Sequence, residues 1–123
     1  MTWEWITGFY EGEGTVSLTT SGKRGKAKYV SIRIGQKEKA ILDKIHDFLL
    51  NDSAIKSSIW EGAVHNKFYN KDYPFCVLTI NSPNSLAFID KILPLMQHER
   101  KIKQILNKIA LSSLATEFFS ARR

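Results

Sequence analysis

Cysteine, long apolar runs and targeting signals are nearly absent from this sequence. Cys76 is the single cysteine, which excludes an internal disulfide and any metal site built from four cysteines. No run of roughly 18 or more apolar residues indicates a membrane span. Residues 1–4 lack the basic and then apolar pattern of a secretory signal. These absences predict an intracellular protein that does not bind a membrane.

Linkers, repeats and low-complexity segments are missing as well. A chain of 123 residues, 43% of them hydrophobic, can bury the core of one domain over 1–123 and leaves little room for a second. His46, His65 and His98 are too scattered to predict a metal site. The sequence therefore predicts a single domain without a histidine-based metal centre.

Acidic residues are fewer than basic ones, with 12 Asp and Glu against 18 Lys and Arg. The formal net charge of +6 and the pI near 9.5 favour a polyanionic partner. The basic residues are concentrated in three segments: Lys23, Arg24, Lys26 and Lys28; Lys67 and Lys71; Arg100, Lys101 and Lys103. Each segment can equally be a solvated turn or helix face, so charge alone does not establish nucleic-acid binding.

The most informative segment spans residues 6–14 and has the sequence ITGFYEGEG. We predict a helix over about 2–13, ended by Gly14, that is apolar nearly all round except for a bare stripe at Gly8 and Gly12. Because a glycine within a helix costs roughly 0.5–1 kcal/mol relative to alanine, two on one face indicate that a second helix approaches closely. Glu13 falls at the carboxyl end, where the helix macrodipole disfavours a negative charge, so we expect a cation beside it.

Two hairpins follow, each succeeded by a helix. The predicted strands are 15–19, 29–34, 54–60 and 73–80, joined by a basic turn at 21–25 and a long polar loop at 61–72. The predicted helices are 37–50, one with Ser82 as its N-cap that ends before Pro94, and a last one from near Gln97 that includes Leu114. The order α-β-β-α-β-β-α-α predicts an α+β fold in which four antiparallel strands turn one apolar face toward the helices.

The other face of the predicted sheet is polar, with aromatic and apolar interruptions. Alternation along the strands places on it Thr15, Ser17, Thr19, Tyr29, Ser31, Arg33, Lys56, Ser58, Trp60, Val77 and Thr79. An ordinary solvated sheet face would look much the same, so this pattern is compatible with a ligand without requiring one.

Residues 6–14 resemble the LAGLIDADG motif of homing endonucleases. Ile6 stands for the opening Leu, Gly8 for the first Gly, Glu11 and Glu13 for the two Asp, and Gly14 for the final Gly, whereas Gly12 stands where Ala is commoner. The predicted order of elements is also that of the LAGLIDADG fold, so the resemblance covers nearly the whole chain. It implies a site-specific double-strand DNA endonuclease of the homing type.

One motif per chain implies a homodimer, since residues 85–90 lack the glycines and paired acids of a second motif. The resemblance places Gly8, Phe9 and Gly12 at a twofold interface and predicts a long, nearly palindromic target. In this family the last acid of the motif binds the catalytic divalent metal, so Glu13 is the implied catalytic residue and the ligand of Mg²⁺. The reaction would be phosphodiester hydrolysis on both strands by an intron-encoded enzyme.

Two further catalytic residues are implied by the resemblance. Gln36 matches a polar position that orients the attacking water in several family members. A basic residue after the third helix commonly stabilises the phosphate; Lys101 fits this position best and Arg100 is the second choice, although both also fit a solvated helix start. Glu11 points about 160° away from Glu13 on the helix, so we expect it to have a structural role.

The implied DNA contacts lie on the polar sheet face, which in this family occupies the major groove, and in the basic segments, which would reach phosphates. They are Ser17, Thr19, Lys23, Arg24, Lys26, Lys28, Tyr29, Ser31, Arg33, Lys56, Ser58, Trp60, Lys67, Lys71 and Thr79. A maturase that binds its own intron RNA and a non-catalytic DNA-binding regulator on the same fold remain alternatives; retention of Glu13 argues against the regulator. A prokaryotic cytoplasm and an organelle both fit the basic chain.

Overall fold

A computed structural model describes residues 1–21 and 27–121 of the chain. The helices are α1 (Trp3–Glu13), α2 (Lys39–Ser53), α3 (Asn84–Ile92), α4 (Glu99–Ala110) and α5 (Ala115–Ser120), and the strands are β1 (Gly14–Ser21), β2 (Ala27–Gln36), β3 (Ser58–Asn66) and β4 (Lys71–Ile80). The predicted order of elements is confirmed, with α5 added at the end. No helix in the described ranges combines the length and apolar character needed to cross a bilayer.

The four strands form one antiparallel sheet in the order β1-β2-β4-β3. β1 pairs with β2 along its length, beginning with Gly14 opposite Ile34. β4 pairs with β2 only between Ile32 and Gln36. The two hairpins are therefore staggered, and the β3–β4 hairpin extends past the end of β2 as a two-stranded ribbon.

Helices cover one face of this sheet and form the core with it. The strand residues predicted to point inward do so, with Val30, Ile32 and Ile34 buried and Val16 and Leu18 packed against the core. The helices contribute Leu42, Ile45, Leu49, Phe88, Ile89, Ile105 and Ile109 to the buried cluster. Cys76 is also buried there. The apolar spacing of the sequence thus correctly identified the covered face.

The second hairpin differs from its prediction. β3 begins at Ser58, not at residue 54, and the predicted loop 61–72 is mostly strand, with only residues 67–70 in a turn. Residues 61–65 are exposed whichever face they point to, so no apolar periodicity marks this part of the strand. Lys56 precedes β3, where its backbone N–H donates to Asn84 Oδ1 at 3.0 Å. It therefore lies outside the strand in which it was predicted, and its side chain is exposed.

The predicted last helix is two helices, α4 and α5, separated by a turn at 111–114. The Ser112 hydroxyl donates to the carbonyl oxygen of Ile109 at 2.7 Å. The Ser113 backbone N–H donates to the carbonyl oxygen of Lys28 at 2.8 Å. These bonds give the chain an alternative to helical pairing and end α4 before Leu114.

The start of α3 also departs from its prediction, because Ser82 makes no capping hydrogen bond and Pro83 occupies the position before the helix. The helix is fixed instead by Ser85, whose buried hydroxyl donates to the carbonyl oxygen of Val30 at 2.7 Å. This bond holds α3 on β2.

Candidate active site and nucleic-acid interface

One side of α1 is open to solvent. Trp5 is 41% exposed and stacks on Phe9, with 5.0 Å between the ring centroids. A Cβ atom added to Gly8 or Gly12 would meet no other atom within 4 Å. Glu13 lies one turn beyond Phe9, and its side chain is exposed. We call the side of α1 formed by these five residues the glycine face; among residues 1–21 and 27–121, nothing packs on its two glycines.

The opposite side of α1 is fixed in the core. Its buried residues are Ile6, Thr7 and Tyr10. The Trp3 ring lies 5.4 Å from the ring of Phe48 and 5.9 Å from that of Phe88, between centroids. Its Nε1–H donates to Asp52 Oδ2 at 2.8 Å. Hydrogen bonds from Ser53 and Trp3 hold the pKa of the Asp52 carboxyl below its ordinary value. The glycine face therefore belongs to a firmly anchored helix.

Glu11 joins α1 to the start of α4. Its Oε2 accepts hydrogen bonds from the backbone N–H groups of Gln97, at 3.1 Å, and His98. His98 in turn caps α4, since its Nδ1 accepts from the backbone N–H of Lys101 at 3.4 Å. The predicted structural role of Glu11 agrees with these contacts, which fix the helix carrying Lys101 against α1.

Lys101 returns from α4 to the carboxyl end of α1. Its Nζ donates to the carbonyl oxygen of Gly14 at 2.7 Å and lies 5.9 Å from the centre of the Tyr10 ring. Burial raises the pKa of the Tyr10 phenol. A Cβ atom on Gly14 would collide with the Tyr10 ring, so only glycine allows this close approach. The Lys101 ammonium is thus held at the carbonyl of the residue that follows Glu13.

Gln36 is the last residue of β2, a central strand of the sheet. β1 begins with Gly14 opposite Ile34, and Gln36 follows Ile34 by two residues on β2. Its side chain is half-buried. Arg100, the second choice for the basic residue, is exposed, whereas Lys101 is held at the Gly14 carbonyl. The strand register therefore puts Gln36 within two residues of the start of β1, and the Gly14 contact favours Lys101 over Arg100.

The acids of one subunit do not enclose a metal. Within residues 1–21 and 27–121, no group of three or more His, Cys, Asp or Glu side chains could hold a metal ion. Mg²⁺ needs only one or two carboxylates, because it keeps several waters and takes phosphate oxygens as ligands. An exposed single carboxylate such as Glu13 fits a shared site completed by a second carboxylate and a phosphate.

A polar row crosses the uncovered face of the sheet. Thr15 lies opposite Arg33 and Arg33 opposite Thr79 in the strand register. Thr79 lies opposite Ser58. Directly paired residues point to the same face, so these side chains line up across all four strands. Arg33 is exposed in this row, where it can donate to base edges or phosphates.

Other predicted contacts are distributed along this face and at one hairpin tip. Register and alternation place Ser17, Thr19 and Tyr29 on the β1–β2 side and Trp60 on the β3 side. Lys67 lies in the turn of the β3–β4 ribbon, and Lys71 is the first residue of β4; both are exposed. Lys23, Arg24 and Lys26 lie outside the described residues.

One predicted contact requires correction. Ser31 lies on the uncovered face but is fully buried, and its hydroxyl donates to Oδ1 of Asn81, the residue that follows β4, at 3.1 Å. It cannot meet a ligand unless its surroundings move. Lys28 is exposed, as a phosphate contact requires, and alternation puts its side chain on the face of Val30.

The prediction also missed residues on the uncovered face. Val64 pairs with Tyr73, and Gly62 pairs with Phe75; Gly62 and Val64 lie in the segment that was predicted to be a loop, whereas Tyr73 and Phe75 lie in the predicted strand. Extending the alternation of β4 backward from Thr79 would have identified both aromatic residues. Val64 had no such signal, because its strand is exposed on both faces.

Comparison with known proteins identifies the architecture. The family model described as the LAGLIDADG-like domain matches residues 3–93, which include α1, both hairpins and α3. No curated protein matches the chain.

Solved homing endonuclease structures share the fold. The homing endonuclease I-TnaI is 17% identical at a TM-score of 0.61, over 90% of this chain and 72% of that one. The archaeal intron-encoded homing endonuclease I-Vdi141I, complexed with DNA, is 19% identical at a TM-score of 0.56, and the match covers 96% of this chain and 82% of that one. The LAGLIDADG meganuclease I-CpaMI, bound to uncleaved DNA, is 21% identical at a TM-score of 0.62. The match covers 90% of this chain but only 37% of that protein. At these identities the likeness shows the fold.

Proposed function

The chain belongs to the LAGLIDADG-like domain family, and we propose that it is a site-specific homing endonuclease that cuts both strands of DNA. The proposal extends to a homodimer, to dependence on a divalent metal such as Mg²⁺, to an intron as the coding element and to an intracellular location. Family and fold support DNA cleavage. The observation that supports it most is Glu13, exposed at the end of the glycine face beside the carbonyl that Lys101 holds.

The glycine face supports the homodimer. Gly8 and Gly12 each lower the stability of the helix, yet an added Cβ atom at either would meet no atom of the described residues within 4 Å. The described part of one subunit therefore gives no packing reason for these two glycines. A second copy of α1 packed on this face about a twofold axis would use both glycines, and would also cover Trp5 and Phe9.

Such a dimer would bring two Glu13 carboxylates together, since Glu13 ends the same face. Two close carboxylates repel each other unless a cation lies between them. Glu13 from each subunit would hold Mg²⁺, which activates water and stabilises charge on the leaving oxygen when it is bound with phosphate.

Lys101 and Gln36 have separate tasks in this proposal. The ammonium group of Lys101 has three N–H donors, and the Gly14 carbonyl uses one of them. The remaining donors can bind an oxygen of the scissile phosphate and stabilise the charge that develops there. Gln36 has an amide that accepts and donates, which suits it to orient the attacking water.

The uncovered sheet face supplies DNA recognition in this proposal. Its row of hydroxyl groups around Arg33 offers hydrogen bonds to base edges. Lys67 and Lys71 at the ribbon tip would contact phosphates, so affinity would fall as the salt concentration rises. The polar sheet face and the proposed catalytic residues Glu13, Gln36 and Lys101 would thus contact the same duplex.

The purified chain can be tested on a duplex that contains the uninterrupted insertion site of its own coding element. We expect cutting of both strands at one position with Mg²⁺ and none with EDTA. A scrambled duplex of the same composition is the control. Selective binding without cutting would instead favour the regulator, and binding of intron RNA in preference to this duplex would favour the maturase.

A further inference from the structure

The uncovered sheet face changes chemistry along its strands. The row through Arg33 bears hydroxyl groups on the other three strands. The rows beyond it, toward the tip of the β3–β4 ribbon, pair Trp60 with Val77 and Val64 with Tyr73. The same side of the sheet is therefore hydrophilic in the Arg33 row and apolar in the rows nearer the tip of the β3–β4 ribbon. We call the second part, formed by Trp60, Val64, Tyr73, Phe75 and Val77, the apolar half.

Two residues of the apolar half are far more exposed than large apolar side chains usually are in a core-forming sheet. Trp60 is 55% exposed and Val64 is 51% exposed. A contiguous exposed apolar surface in a soluble protein indicates a partner. Phe75, by contrast, packs on the backbone of β2, because a Cβ atom added to Gly35 would lie 2.6 Å from its ring. The apolar half is thus a supported surface with open side chains at its edge.

Its position and charge identify the partner as the duplex of the proposed function. The apolar half continues directly from the Arg33 row, so the two would meet adjacent stretches of one ligand. Lys67 and Lys71 flank its outer end, and the Lys71 ammonium lies 5.8 Å from the centre of the Tyr73 ring. A surface that is apolar in the middle and cationic at the end suits a polyanion with an apolar group in its groove.

The ribbon has the dimensions for such a contact. The major groove of DNA admits a two-stranded β-ribbon. Val77 and Tyr73, the ends of the apolar half on β4, are four residues apart, which is about 14 Å at roughly 3.4 Å per residue. At about 3.4 Å per base pair, the apolar half can follow some four base pairs.

We propose that the apolar half recognises the C5-methyl groups of pyrimidines, so that one block of about four base pairs in each half of the target is rich in thymine. The inference rests on the proposed function, which supplies the duplex. The C5-methyl of thymine is the apolar group that base pairs present in the major groove, and apolar side chains contact it. Exposed Trp60 and Val64 would form these contacts, while the Arg33 row hydrogen-bonds the neighbouring bases.

The test selects bound duplexes from a random library and then replaces each thymine of the selected site by deoxyuridine, which removes only the methyl group. We expect roughly threefold to fivefold weaker binding per methyl, confined to one block in each half-site. Cytosine and 5-methylcytosine at the same positions separate methyl recognition from recognition of thymine itself; the methylated duplex should bind more tightly. Trp60→Ala with Val64→Ala should abolish the deoxyuridine effect, and Thr15→Ala, in the hydrophilic part, should leave it intact.

Selective binding that is indifferent to deoxyuridine, or a deoxyuridine effect that persists in the Trp60→Ala, Val64→Ala variant, would overturn the inference and leave the proposed function standing. A selected site without thymine or 5-methylcytosine sensitivity in any block would do the same. Failure to select any duplex would overturn both.

Discussion

The Lys101 ammonium lies 2.7 Å from the carbonyl oxygen of Gly14, the residue that follows the proposed metal ligand Glu13. This contact connects α4 to the carboxyl end of α1, where a cation offsets the negative end of the helix dipole. Glu11 reinforces the connection by accepting hydrogen bonds from Gln97 and His98. The basic residue and the metal ligand are therefore positioned relative to each other before any DNA is bound.

Lys101→Met should lower kcat for DNA cleavage by about 10²–10³ and leave DNA affinity nearly unchanged, because the lost ammonium stabilises charge that develops during the reaction. Single-turnover cleavage and equilibrium binding measure the two effects. Arg100→Met is the matched control, since it removes the neighbouring cation from an exposed position. If Arg100→Met lost activity and Lys101→Met did not, the assignment would be reversed.

Gly8→Leu or Gly12→Leu should abolish dimerisation while the subunit stays folded, since an added Cβ at either position meets nothing within 4 Å. Because leucine favours a helix more than glycine does, the isolated subunit should become more stable by up to about 1 kcal/mol. Sedimentation equilibrium and thermal unfolding measure these quantities. Ala87→Leu, on the exposed side of α3, is the control. A persisting dimer would mean that the glycine face is not the interface.

Gly14→Ala should behave in the opposite way. Its Cβ would collide with the buried Tyr10 ring and lie 2.8 Å from the Tyr10 carbonyl oxygen. Overpacking of this kind costs about 1–3 kcal/mol, which urea denaturation can measure. Gly8→Ala serves as the comparison, because it adds the same methyl group in open space. Equal stability of the two variants would contradict the close packing of Gly14 and Tyr10.

Tyr10 should make the protein sensitive to alkali. Burial raises the pKa of Tyr10 above the ordinary value of 10.0. Above pH 10 the unfolded chain therefore loses the phenolic proton that the folded chain retains, and the free energy of unfolding falls as the pH rises further. Below that pH Tyr10 contributes no pH dependence. Tyr10→Phe should remove this component while lysine titration remains. Identical alkaline unfolding profiles would show that the phenol titrates normally.

Much of the fold was predictable because helices cover one face of the sheet. Val30, Ile32 and Ile34 alternate with polar residues, and this period marks the strand and its buried side. The same rule failed for residues 61–65, which project beyond the helices and are exposed on both faces. The spacing of hydrophobic residues reflects which side chains are buried. It therefore does not predict a strand that is buried on neither face.

The site was predictable where it depends on position along the chain and not where it depends on tertiary contact. Glu13, Gln36 and Lys101 were predicted from motif and order, and the structure holds Lys101 at the carbonyl of Gly14, the residue after Glu13. The burial of Ser31 was not foreseeable, because it results from Asn81, which is 50 residues away in sequence. Alternation gives the face to which a side chain points but not what lies over it.

The most direct test of the account is Glu13→Gln, measured for both cleavage and binding of the same duplex with Mg²⁺. The substitution keeps the size of the side chain and removes its charge at an exposed position, so the fold should be unaffected. If Glu13 is the metal ligand, hydrolysis should be lost and the variant should still bind the target selectively as a dimer. Cleavage at the wild-type rate by Glu13→Gln would contradict the metal-ligand role of Glu13 and with it the proposed mechanism.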